Sequence, residues 1–157
     1  MTRSVLLANR LQEVLLDGYW IANTNCRQQI EGVTWQQATQ KPEDLNSIAA
    51  LIYHLNYYLA GILTVFNGGE LKIRDQYSFN LPPIQSEADW ERLTNEFVTN
   101  AKEFVHHTKN MPDHMLDEMF TGKKYGTYLR NIEGVIEHSY YHLGQISLIK
   151  KLVIENK

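Results

Sequence analysis

Apolar residues recur every three or four positions through four long stretches of this chain, and prolines and glycines separate the stretches. The first, residues 4–29, carries Val5, Leu6, Ala8, Leu11, Val14, Leu15, Tyr19 and Ala22 at that spacing. The second begins at Asn46 or Ser47, both suited to a helix N-cap, and runs to Asn67, where Gly68-Gly69 stops it. The third begins at Ser86, with Asp89 three residues on in an arrangement close to a capping box, and runs through Trp90, Leu93, Phe97, Ala101 and Phe104 to Lys109. The fourth covers residues 127–152. A period near 3.6 predicts helices, and no stretch shows a convincing strand alternation.

All four prolines (Pro42, Pro82, Pro83 and Pro112) fall between these stretches, as expected of a residue that breaks helix interiors. The connection 31–43 holds Gly32, which ends the first helix, and Trp35, placed to close one end of a core. Residues 70–85 are irregular and contain Pro82-Pro83, which favours extended backbone. Residues 111–126 form a turn region with a short hairpin around Gly122-Lys123-Lys124. Four long amphipathic helices predict an all-α fold, a four-helix bundle in one domain over residues 1–157. Roughly fifteen extended residues reach ~50 Å while a helix of about 23 residues is only ~35 Å long, so a connection can cross the whole bundle.

Charge and composition then remove several function classes. The 157 residues carry a net charge of −3 with no cluster of Lys and Arg, which argues against nucleic acid as a partner. One cysteine, Cys26, excludes a disulfide within the chain and a cysteine-based zinc site. It falls in the predicted first helix, as a packing residue or, alternatively, a reactive thiol. No secretory pattern opens the sequence, and its longest uncharged stretch, residues 47–69, is interrupted by His54, Asn56 and Asn67. A cytoplasmic protein, not associated with a membrane, is expected.

Candidate chemistry lies in the fourth helix. His138 and His142 are four residues apart, so their imidazoles leave one helix face about 40° apart. Measured around the helix from His138, Leu129, Ile132, Val135, Ile136, Leu143 and Ile146 lie at about 60–180°, and Glu133, Glu137 and Arg130 at about 220–280°. The histidines therefore border the apolar arc on the side away from the charges. His54 flanks the apolar stripe of the second helix in the same way, with Leu51, Ile52, Leu55 and Leu59 beside it. If the two helices are neighbours, three imidazoles can converge on one divalent ion. Nitrogen ligands suit Zn, Ni, Fe or Mn alike. His106, His107 and His114 point apart or sit in a turn and are expected in solvent. Tyr58 could orient a ligand or substrate, or simply pack. Gln145, three residues after His142, could hydrogen-bond a ligand imidazole. Glu137 points away as a surface charge.

The runs Leu51-Ile52-Tyr53-His54-Leu55 and His138-Ser139-Tyr140-Tyr141-His142-Leu143-Gly144-Gln145-Ile146 resemble the DinB-like (DinB/YfiT) superfamily. The resemblance spans nearly the whole chain. It implies a metal held by His54, His138 and His142, and an up-down-down-up bundle with a long crossover between the second and third helices. It also implies a homodimer, and an enzyme using a low-molecular-weight thiol to transfer a group to or from a small-molecule substrate. A metal-dependent hydrolase, and a non-catalytic helical dimer or interaction protein, are the alternatives. Three neutral imidazoles leave an ion at least one open position, as catalytic sites require, and a bound zinc can lower the pKa of water to about 7 or hold a thiolate.

Overall fold

The computed structural model describes residues 1–154, which include the whole of the fourth predicted helix, and residues 155–157 lie outside them. Among the described residues the fold is all-helical. Its elements are α1 (Arg3–Gln12), continued by a π-helical turn (Glu13–Asp17), α2 (Cys26–Ile30), α3 (Trp35–Thr39), α4 (Ile48–Phe66), α5 (Glu87–Asn110) and α6 (Tyr128–Ile154). Single 3-10 turns occupy Asp75–Tyr77 and Asp113–Asp117.

The helix starts follow from side chains that satisfy otherwise orphaned backbone N–H groups. Ser47 Oγ accepts from Ala50 N at 3.1 Å, which makes Ser47 rather than Asn46 the cap of α4. Ser86 Oγ accepts from Asp89 N at 3.2 Å. The Asp89 carboxylate in turn accepts from Gln85 N and Ser86 Oγ, bonds that with Arg92 hold it down to about 2. The reciprocal bond of a full capping box is absent, because the Asp89 carboxylate takes the N–H of Gln85, one residue before the cap, in place of that of Ser86. Asn67, with Gly68 at φ +83°, ends α4 where expected.

The predicted first helix is too long. It stops at Asp17, where Gly18 turns extended (φ −95°, ψ 165°) and donates to Glu13 O to close the π turn. A Cβ on Gly18 would lie 2.2 Å from Glu13 Cγ, so this turn needs glycine. The apolar spacing ran on through Tyr19, but Tyr19, Trp20 and Ile21 are exposed. Cys26 therefore belongs to a separate short helix, capped by Asn25, where it is fully buried and its thiol is pushed up to about 12 by desolvation. A buried, protonated thiol is a packing group. Trp35 opens α3, partly buried against the core. The expected hairpin is one antiparallel bridge, Met119 to Thr127, with Phe120 N donating to Gly126 O.

One continuous core runs through the helices, with Leu11 from α1, Leu15 from the π turn that continues it, Ile48, Leu51, Ile52 and Leu59 from α4, Phe97 and Phe104 from α5, and Ile132, Ile136 and Leu143 from α6. α4 is the only helix among the described residues long and apolar enough to cross a membrane, and 67% of that apolar window is buried in this core. Its two sides face different partners. Asn56 bonds Glu96 and Asn100 of α5, while His54 meets α6. That position between α5 and α6 sets the location of the site.

Candidate metal centre

His54 leaves the middle of α4 and is buried; His138 and His142 leave successive turns of α6, half-buried and buried respectively. The flanks inferred from the helical wheels meet. His54 Nε2 lies 3.0 Å from His138 Nε2, and His138 Nε2 lies 2.9 Å from His142 Nε2. Across all three residues the available ligand atoms lie within 4.8 Å of one another, so the cluster could hold a metal ion.

The outer nitrogens decide what the inner ones present. His54 Nδ1 faces the Ser78 carbonyl at 3.3 Å, and a carbonyl only accepts. The proton therefore sits on Nδ1, and Nε2 offers its lone pair. His142 Nδ1 faces Gln145 Oε1 at 2.6 Å, which fixes the same tautomer. His138 Nε2 sits between two such lone pairs. A ring nitrogen carries one proton or one lone pair, so a linear hydrogen bond from His138 answers only one neighbour. A cation at the convergence point answers all three. Nitrogens that share one ion at ~2.0–2.1 Å each must lie within roughly 4 Å of one another, and both separations do.

Burial also keeps these groups neutral. Desolvation, with the neighbouring imidazoles adding to it, pushes His54 and His138 down to about 4. Desolvation lowers His142 too, opposed by its bond to Gln145. Neutral imidazoles are the form that ligates metal.

The residues around the cluster fall into two groups. Gln145 takes the role its spacing suggested. Tyr58 packs its edge on His54 and His138, with ring centroids 5.1 and 5.3 Å away, and donates its hydroxyl to Asp75 Oδ1 at 3.0 Å. It thus packs on the histidines and also fastens the segment between α4 and α5. Three contributors from that segment escaped the sequence reading: the Ser78 carbonyl, Asp75, and Phe79, whose ring stacks on His54 at 4.0 Å. Tyr57 reinforces the attachment, accepting from Arg74 N and donating to Arg74 O. Gly61 lets the segment come close, since a Cβ there would lie 2.5 Å from Ile73 Cγ2. Loop residues carry no periodicity, so only the length and prolines of this connection were visible beforehand.

The remaining histidines stay apart from the site. His106 and His114 are exposed, and His107 is half-buried beside Phe66 rather than fully solvated. Glu137 is exposed and pairs with Arg130. No family model, curated protein or solved structure matches this chain.

Proposed function

We propose that the chain is a divalent-metal-dependent enzyme of the DinB-like type, with His54, His138 and His142 as the metal ligands. The observation that carries this reading is the pair of outer hydrogen bonds, Ser78 on His54 and Gln145 on His142, which turn lone pairs toward a shared point. The helix registers support the up-down-down-up bundle. Asn56 and Phe66 of α4 meet Asn100 and Phe104 of α5 in the same order, whereas His54 and Phe66 meet His142 and Tyr128 of α6 in reverse. Ser4 at the start of α1 bonds Met111 just beyond the end of α5. Residues 67–86 then form the crossover.

A divalent ion held by three neutral imidazoles supplies Lewis acidity and lowers the pKa of a group that binds it. The chain's own residues do the rest. Ser78 and Gln145 orient the imidazoles, and Phe79 and Tyr58 cover their faces and edges against water. Among the described residues no carboxylate hydrogen-bonds any of the three histidines, and the nearby Asp75 is engaged by Tyr58. A site without a general base favours a cosubstrate that ionises readily. A thiol, with a free pKa of about 8.5, fits better than water, so thiol-dependent transfer on a small molecule is preferred over hydrolysis.

Metal content of untagged protein, wild type beside His142→Ala, tests the site. Near one equivalent of a divalent metal is expected in the wild type and a loss of orders of magnitude in affinity in the variant. No metal in either, and none taken up on reconstitution, would replace this reading with a non-catalytic helical interaction protein.

A further inference from the structure

His138 also lines a second feature, a cleft of about 610 Å³ between α4, α6 and the turn that precedes α6. Its size suits a small molecule. Lys123, Lys124 and Arg130 line it, and among the described residues no acidic one does, although the whole chain carries a net charge of −3. Such a concentration of one sign runs against the balance of the rest of the molecule. Lys123 and Lys124 make no salt bridge among the described residues. Among the described residues Arg130 pairs only with Glu137, at 3.3 Å and in solvent, where such a pair contributes little.

The two lysines sit on a fastened turn. Phe120 N donates to Gly126 O at 2.9 Å, Tyr125 N donates to Gly122 O at 3.0 Å, and Asn131 Nδ2 on α6 donates to Tyr125 O at 2.8 Å. Gly126 takes a left-handed φ of +69° to allow the return. Ile62 and Val135 add apolar lining to the cleft, and Tyr58 and His138 connect it to the histidine cluster. An adjoining cavity of about 350 Å³ shares Tyr58 and Lys124 and adds Arg74. Its one acidic residue, Asp75, already takes the Tyr58 hydroxyl.

We infer that the substrate or cosubstrate of the three-histidine site is a small organic anion with an apolar body. Lys123, Lys124 and Arg130 hold its carboxylate or phosphate, and its reacting end reaches His138. The identity of the reacting end rests on the metal-site reading above, whereas the anion site rests on the cleft alone.

The test titrates metal-free protein with phenylphosphate, phenylacetate and the uncharged phenylacetamide at low salt, followed by amide NMR shifts. Both anions are expected to bind at least roughly tenfold more tightly than the amide, with shifts at residues 122–126 and at His138. The tighter of the two anions distinguishes a phosphate from a carboxylate ligand. The triple variant Lys123→Gln/Lys124→Gln/Arg130→Gln, altered only at exposed positions, should bring the anions to within about twofold of the amide while metal content is unchanged. Equal binding of anion and amide by the wild type, or a preference that survives the triple substitution, overturns the inference. A wild type that binds no metal sinks the metal reading instead, and the anion preference is still decided on the same sample.

Discussion

The candidate site has two walls of different construction. One is helical: His54, His138, His142 and Gln145 stand on α4 and α6, where backbone hydrogen bonding and the buried core fix each Cα. The other is the segment between α4 and α5, which contributes the Ser78 carbonyl, Phe79 and Asp75 and is hydrogen-bonded to α4 through Tyr57 and Tyr58. The helical wall holds the three imidazoles that could ligate an ion, and the loop wall sets a tautomer and covers an imidazole. Their separation implies that damage to the helical wall removes binding, while damage to the loop wall loosens it.

Acid should break the helical wall most completely. In metal-free protein the folded His54 and His138 stay neutral down to about pH 4, whereas in the unfolded chain histidines take up protons below about 6.5. The unfolded state therefore binds more protons between those values, and stability falls as pH drops from about 6.5 to 4. Urea midpoints across that window should fall more steeply for the wild type than for His138→Gln. Identical slopes would show that burial does not hold the imidazole neutral.

Next in size is Gln145→Leu, which keeps all three ligands but frees the His142 tautomer. Loss of such an outer partner weakens metal binding by about 10–100-fold, and competition with a chelator of known affinity reads the change. An unchanged affinity would mean that His142 is oriented by α6 alone.

The smallest effect belongs to the loop wall. Tyr58→Phe keeps the ring on the two histidines and removes only the bond to Asp75, which contributes about 1 kcal/mol. Thermal unfolding should move down by a few degrees, and metal affinity by a few-fold at most. A loss as large as that of Gln145→Leu would erase the distinction between the walls.

The helical wall was largely legible in the sequence because both its signals are periodic or local. The flank positions of His54, His138 and His142 come from helical spacing, and the starts of α4 and α5 come from Ser47 and Ser86, whose side chains act on backbone only three residues away. The break at Gly18 was hidden because Tyr19 and Ala22 continue the apolar rhythm, although Tyr19 ends up exposed. Ser78, Phe79 and Asp75 act across a fold that brings position 78 to position 54, and no spacing rule encodes such a contact. Lys123 and Lys124 were visible as turn residues, but their place in the cleft beside His138 depends on how that turn docks on α6.

His54 and His138 are 84 residues apart in the chain and 3.0 Å apart in space. An ion joining them would act as a cross-link closing a long ring, and the unfolded chain has no preassembled counterpart to compete for it. Every ion captured would therefore count toward folding. A metal at about one hundred times its dissociation constant adds about 2.7 kcal/mol to the folded state. The supply of metal in the cell would then govern how long each molecule survives proteolysis as well as how many molecules are active.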